Sequence, residues 1–330
     1  MTGSEQETPV RLDRHLTSGR NIKRIQAAPF QWNHKRACSV LVVTAVLVSA
    51  CSTPGPNYRS GPVVGWGGGS LPPGLSDIVA ISTGSSVHLL LKSDGTVIGD
   101  PRDSAGRVPA GLANVVAVSA GSSHSLALRK DGTVVAWGGD SVGQTDLPSG
   151  LANVIAISAG FDHSLALKAD GTVVAWGNDD SGQTEVPAGL NHIKAISAGY
   201  AFSVALKSDG TVVAWGNDRS GESDVPAGLS DVTAISAGGG WVLALKKDGT
   251  IVTWGQDAAH RRDPPAGLKD VIAISAGTAF GLALKSDGTV VGWGYDEYGQ
   301  TDIPPNLTGV IAISAGTWDA LALLGPKAGG

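Results

Sequence analysis

The chain is poor in cysteine, aromatic residues and long apolar runs. Its two cysteines among 330 residues are Cys38 and Cys51. The remainder therefore holds no disulfide and no thiol nucleophile, and its stability must come from packing. Aromatics make up 5% of the chain, too few for a core built on large rings. The one extended apolar stretch, Ala37 to Ala50, has fourteen residues, short for a membrane span. There is no Gly-x-Ser-x-Gly elbow and no His/carboxylate cluster at metal-ligand spacing, so no catalytic site, metal or cofactor is expected. Basic charge is also scarce where it would matter. Seven of the 24 Lys/Arg and three of the 29 Asp/Glu fall in residues 1–51, leaving the rest at −9. That balance does not suit a phosphate backbone, and nucleic-acid binding is not expected.

The first fifty residues read as an address. Lys23, Arg24, Lys35 and Arg36 precede the apolar stretch, which ends in Val48-Ser49-Ala50-Cys51. A basic segment, a short apolar segment and small residues before the cut are the pattern of a signal peptide. The final tetrapeptide resembles a bacterial lipobox, whose cysteine is acylated to become the mature N-terminus. The expected organisation is a lipoprotein-type signal over 1–50, lipidation at Cys51, a flexible tether over 51–60, a body over 61–325 and a tail over 326–330. The location implied is the cell envelope, with the lipid as the sole membrane contact.

What the chain has in abundance is glycine, 47 residues, about twice the usual share, placed periodically. A glycine closing the pattern [VI]-x-A-[IV]-S-x-G falls at Gly84, Gly121, Gly160, Gly199, Gly238, Gly277 and Gly316, at intervals of 37 and then 39. Asp-Gly-Thr begins at Asp94, Asp131, Asp170, Asp209, Asp248 and Asp287, and Trp-Gly at Trp137, Trp176, Trp215, Trp254 and Trp293. A fixed period of this length marks a repeat architecture. Each unit predicts three short strands, VIAISAG, SLALK and TVVAWG, the last two joined by an Asp-Gly hairpin. Thr184–Pro187 reads as a short fourth, edge strand. Alternation places Ile155, Ile157 and Ala159 on one sheet face and Val154, Ala156 and Ser158 on the other, large against small, so that neighbouring sheets stack. The last unit stops at Leu324 without a Trp-Gly strand, and a spare one, Pro62–Gly67, stands at the start. The fold class is all-β, a seven-bladed β-propeller closed by an N-terminal strand that completes the last blade.

Trp176-Gly177-Asn178-Asp179, Gly182-Gln183, Ala198-Gly199 and Ala120-Gly121-Ser122-Ser123-His124-Ser125-Leu126-Ala127-Leu128 resemble the regulator of chromosome condensation repeat family over residues 61–324. The compact spacing and the closure are similar to those of propeller-type β-lactamase inhibitory proteins. That likeness implies a secreted bacterial scaffold with a protein-binding face; the eukaryotic members' exchange-factor and chromatin roles do not carry over to an acidic, exported chain. Three units depart from the pattern. The stretch after Asp94 lacks Trp-Gly, the loop after Trp66 is short, and Ala258-Ala259-His260-Arg261-Arg262 stands where the family has Gly-Gln.

Antiparallel pairing puts the Ala-Gly turns and the Trp-Gly loops at one end of the blades, with the Asp-Gly hairpins and Pro-Ala-Gly-Leu crossovers at the other. The turns carry Phe161, Tyr200, Phe202, Trp241, Phe280 and Trp318, and the loops carry acids including Asp179, Asp218 and Asp296. Central aromatics within a polar rim suit a protein partner, here one with a basic surface, bound by a monomer. The position shared by Phe202, Trp241 and Phe280 is equally a core position, since His124 and His163 occupy it in other units. An enzyme is not expected; a lyase or hydrolase at the channel mouth is the alternative, and a purely structural envelope protein the third class.

Overall fold

The computed structural model describes residues 62–69, 71, 75–257 and 263–325. The signal, the acylation point Cys51, the tether, the tail and the departure at 258–262 lie outside the described residues.

Each repeat folds as three antiparallel strands because its hairpins are chemically specified. In the hairpin at Asp170, Gly171 takes φ 82°. Asp170 Oδ1 accepts from the Thr172 amide at 3.0 Å and the Thr172 hydroxyl at 2.6 Å, an Asx turn that closes the loop on itself. Blade 1 comprises β2 (Ile78–Thr83), β3 (His88–Lys92) and β4 (Val97–Gly99); β1 (Val63–Gly67) is reserved for closure. Blade 2 holds β5 (Val115–Ala120), β6 (His124–Arg129) and β7 (Val134–Gly138); blade 3 holds β8 (Val154–Ala159), β9 (His163–Lys168) and β10 (Val173–Gly177). Blade 4 follows with β11 (Ile193–Ala198), β12 (Phe202–Lys207) and β13 (Val212–Gly216), and blade 5 with β14 (Val232–Ala237), β15 (Trp241–Lys246) and β16 (Ile251–Gly255). Blade 6 is β17 (Val271–Ala276), β18 (Phe280–Lys285) and β19 (Val290–Gly294). Blade 7 pairs β20 (Val310–Ala315) with β21 (Asp319–Leu324), and β21 with β1, in the order β1-β21-β20. The register Val64↔Ala322 and Trp66↔Ala320 closes the ring.

Two local expectations give way. No fourth strand occurs among the described residues: Val186 N–H bonds back to Thr184 at 2.9 Å, and the Val186 side chain packs on the core shared by blades 3 and 4. Proline follows at once and has no amide to extend a ladder. The simple alternation of the first strand also fails. A bulge between Val154 and Ala156 turns Ile155 outward, at 37% exposure, and brings Val154 and Ile157 onto one core cluster. An extra residue in one strand shifts every preceding side chain to the other face.

Three kinds of contact bind blade to blade. The serine of each first strand accepts the N–H of the residue just before the next blade's turn glycine: Ala159 on Ser119, Ala198 on Ser158, and so around the ring to Thr83 on Ser314 at 3.0 Å. In blades 2, 3, 4, 5 and 7 the tryptophan of the third strand donates its indole N–H to the preceding blade's outer loop, as Trp176 does to Gln144 O at 3.0 Å and, across the closure, Trp66 to Gln300 O at 2.8 Å. Third, the residue opening the second strand meets a residue of the following blade, and the pair is matched in size and polarity. His124 Nε2 meets Ser164 Oγ at 2.9 Å and His163 Nε2 meets Ser203 Oγ at 3.0 Å. Phe202 packs with Val242, and Phe280 with Ala320. Gly281 lies between Trp241 and Trp293 of its own blade, and a Cβ there would stand 3.0 Å from the first ring and 2.5 Å from the second.

Candidate functional site

The seven glycine turns converge on the ring axis. Gly84, Gly121, Gly160, Gly199, Gly238, Gly277 and Gly316 line a mouth of about 90 Å³, and adjacent turns are stitched by backbone bonds such as Phe161 N–H to Gly199 O at 3.1 Å. Closeness demands glycine here: a Cβ at Gly160 would stand 2.7 Å from Gly199 O. The mouth is a shallow dimple walled by backbone and small side chains.

Around it the aromatic residues divide by position. Phe161 and Tyr200, on neighbouring turns, stack with ring centroids 4.1 Å apart, and Tyr200 is 50% exposed. Trp318, 46% exposed, meets Tyr298 edge-on at 5.1 Å, and Tyr298 lies 6.5 Å from Tyr295. These two clusters sit at the boundaries of blades 3 and 4 and of blades 6 and 7, three blades apart on the same end. Phe202, Trp241 and Phe280 are a correction to the expected surface: they are buried, at 1%, 4% and 0% exposure. They occupy the size-matched contact position between blades, so their bulk is used inside the ring. Tyr298 comes from the outer loop of blade 6; its contact with Trp318 links two different blades and has no signature along the chain.

The acidic rim has a structural duty as well. Asp179 Oδ1 accepts from Thr184 N–H at 2.8 Å, Asp218 from Ser223 at 2.9 Å and Asp296 from Thr301 at 2.7 Å. Each clasps its own outer loop while its carboxylate stays exposed. Beside Phe161, partial burial pushes the Asp162 carboxyl above the usual carboxylate range.

Histidine and carboxylate do meet at one place, His88 Nε2 and Asp319 Oδ2 at 2.5 Å, next to a hollow of about 270 Å³ that His88 lines with Asp100 and Arg102. Asp319 stands at the position that His124 and His163 fill in blades 2 and 3, and His88 where Ser164 and Ser203 stand. The pair is thus the blade-to-blade contact of the closure, made by a histidine and a carboxylate. The Arg102 guanidinium is committed to Asp100, 2.6 Å away. Among the described residues no group of three or more His, Cys, Asp or Glu could hold a metal ion.

Seven three-stranded sheets around a narrow mouth, with an aromatic and acidic turn end, define a seven-bladed β-propeller. Within that class the chain carries regulator of chromosome condensation (RCC1) repeats: the repeat profile matches residues 115–144, 154–183, 193–222 and 271–300. Solved structures of the same fold include Prp20p from Saccharomyces cerevisiae, characterised with its binding to Gsp1p and histones (18% identity, 82% of this chain and 93% of that one, TM-score 0.66). Yeast RCC1 (Prp20) bound to Kap60 is similar at 18% identity over 93% and 97% of the two chains, TM-score 0.71. The ectodomain of the Physcomitrella patens receptor kinase CR4 is similar at 23% identity over 75% and 70%, TM-score 0.62. No curated protein sequence matches the chain.

Proposed function

We propose that this chain is an extracytoplasmic, lipid-anchored protein-binding module, acting as a monomer, that docks its partner on the turn end of the propeller. The observation that carries the reading is the pair of half-exposed aromatic clusters, Phe161 with Tyr200 and Trp318 with Tyr298, on one end. Large rings set in an otherwise polar surface are the usual anchors of protein interfaces. The exposed carboxylates of Asp179, Asp218 and Asp296 complement a basic partner. Inhibition of a secreted or cell-wall enzyme is the specific case that the sequence likeness suggests. The shallow mouth favours binding over chemistry, since substrate pockets are usually several hundred Å³. Among proteins of this fold, Prp20p binds Gsp1p, and CR4 carries its propeller in an ectodomain, so the scaffold serves protein recognition and service outside the cell elsewhere.

The test is capture from envelope extract by the full-length protein, compared with Y200A/W318A and with I272A, an exposed residue at the start of β17 and so at the opposite end. A partner held by the wild type and I272A, and lost by Y200A/W318A, supports the reading; equal capture by all three rejects it. Labelled palmitate incorporated by the wild type and not by C51S tests the anchor.

A further inference from the structure

Across blades 4 to 6 the turn end opens into a hollow of about 430 Å³ that adjoins the mouth at Tyr200, Gly239 and Thr278 and reaches outward to Asn217, Glu222 and Gln256. The blade 5 turn beside it is Gly238-Gly239-Gly240, of which Gly239 lines the hollow. Where Gly240 stands, the other turns carry Ser86, Ser123, Asp162, Ala201, Ala279 and Trp318. A Cβ at Gly240 would come within 2.8 Å of Gln256 Oε1 and 3.6 Å of Glu222 Oε1. The hollow is lined by the apolar Tyr200, Phe202 and Trp241 and by the polar Asn217, Glu222 and Gln256, the last two being the side chains that a Cβ at Gly240 would crowd.

Glu222 is the anomaly. Blades 2, 3 and 6 place Gln144, Gln183 and Gln300 at its position. There the side-chain carbonyl accepts the N–H two residues earlier, as Gln183 does from Ser181 at 2.9 Å, and the amide nitrogen turns inward, to Asn178 in the case of Gln183. Glu222 keeps the first bond, accepting from Ser220 N–H at 2.8 Å, and its second oxygen takes one bond from Asn217 Nδ2 at 3.0 Å. It is 5% exposed, yet no Lys, Arg or His among the described residues forms an ion pair with it. A buried carboxylate without a counter-charge is costly, and glutamine would fill the same place without that cost.

We propose that this hollow receives a cationic head, a guanidinium or alkylammonium group, with the Glu222 carboxylate as its counter-ion. Gln256 Oε1 offers a neutral acceptor, and the aromatic wall favours a cation over a neutral group of equal shape. The volume lies within the range of ordinary ligand pockets and accommodates the head with its methylene stem. A free small molecule and a basic side chain on a docked protein share this chemistry. In the second case the inference deepens the proposed function and rests on it; in the first it stands alone.

The experiment is calorimetric titration of the full-length protein with Nα-acetyl-arginine methylamide and with its citrulline counterpart, which has nearly the same shape and no charge. The wild type binds the arginine compound at least tenfold more tightly. E222Q abolishes that preference and raises the thermal midpoint, because it restores the amide used in blades 2, 3 and 6. Gly240→Val, which crowds the hollow beside Gln256 and Glu222 and leaves the carboxylate, weakens binding of both compounds at least tenfold. Equal affinity for the two compounds, no binding to the wild type, or an unchanged preference in E222Q would each overturn the proposal. A blocked Gly-Gly-Arg-Gly-Gly peptide binding tenfold tighter than the single residue identifies a protein side chain as the source; equal affinity identifies a small molecule. Trp318→Ala separates this site from the docking face: it leaves the arginine titration intact whether or not it abolishes partner capture.

Discussion

At the scale of single residues, the repeat is held by positions whose backbone conformation few side chains accept. The residue before each first strand is left-handed in all seven blades: Asp77, Asn114, Asn153, His192, Asp231 and Asp270 have φ between 56° and 61°, and Gly309 has φ 68°. Six of the seven are Asp, Asn or Gly, the residues that visit this region most readily. Asn153 also accepts the Ala169 N–H on its carbonyl at 2.9 Å, tying the crossover to the hairpin end. Asn153→Val should therefore cost about 1–2 kcal/mol, read from the denaturant midpoint, while Asn153→Gly stays close to the wild type. A valine variant as stable as the glycine one would show that the turn can relax. This choice of residue is plain in the chain; the role of Asp179 as a loop clasp is not, because its partner Thr184 is legible only once the loop is folded.

At the scale of elements, the pairs between second strands make the stability of blades 2 to 4 depend on pH. Each His Nε2 faces a serine hydroxyl that itself donates to a carbonyl, Ser164 to Gln144 O at 3.0 Å and Ser203 to Gln183 O at 2.9 Å. The serine is therefore the acceptor and Nε2 carries the proton, leaving a bare Nδ1 that has no partner in either ring. Burial lowers His124 from 6.5 to about 4, and burial with the nearby His124 lowers His163 to about 3. Below pH 6.5 the unfolded chain binds protons that the folded one refuses. Stability is hence fully present above that pH and falls as pH drops toward the folded values, by at most about 1.4 kcal/mol per pH unit for each histidine. H163F/S203V, which copies the Phe202–Val242 pair of the next blades, should flatten this loss between pH 7.5 and 5 in urea titrations. An unchanged slope would place the titration elsewhere. The hairpin aspartates act in a lower window: the Thr172 and Thr289 donors hold Asp170 and Asp287 at about 2, so their contribution is present above the ordinary carboxylate range and is lost as pH falls through it toward 2.

For the whole molecule, stability depends on the ring being shut. Closure uses the β1–β21 pairing, the Thr83–Ser314 bond, the Trp66 indole and the His88–Asp319 pair at once. These contacts all join residues more than two hundred positions apart, so they form together or not at all. Deleting residues 62–67 exposes the backbone edge of β21, and an unpaired edge recruits other chains. Light scattering of that variant should report association, against a single species for the intact chain. The milder Trp66→Ala should cost about 3–5 kcal/mol through cavity formation and the lost indole bond. A deletion variant that stays dispersed and unfolds at the wild-type midpoint would show that the ring does not need its closing strand.

The sequence by itself determined the architecture. Seven units, three strands in each, Asp-Gly hairpins and a borrowed closing strand are all written in short periodic patterns, because turn stereochemistry and strand periodicity act within about ten residues along the chain. The tertiary structure decided the surface. Phe202, Trp241 and Phe280 went inside because each faces a residue of the next blade about 40 positions later, Val242, Gly281 or Ala320, whereas Tyr200 and Trp318 meet only other surface rings, Phe161 and Tyr298, and remain half-exposed. The bulge beside Ile155, the packing of Val186 and the burial of Glu222 were settled in the same way. Each depends on what a neighbouring blade or loop places against it, and that distance in sequence carries no local signal.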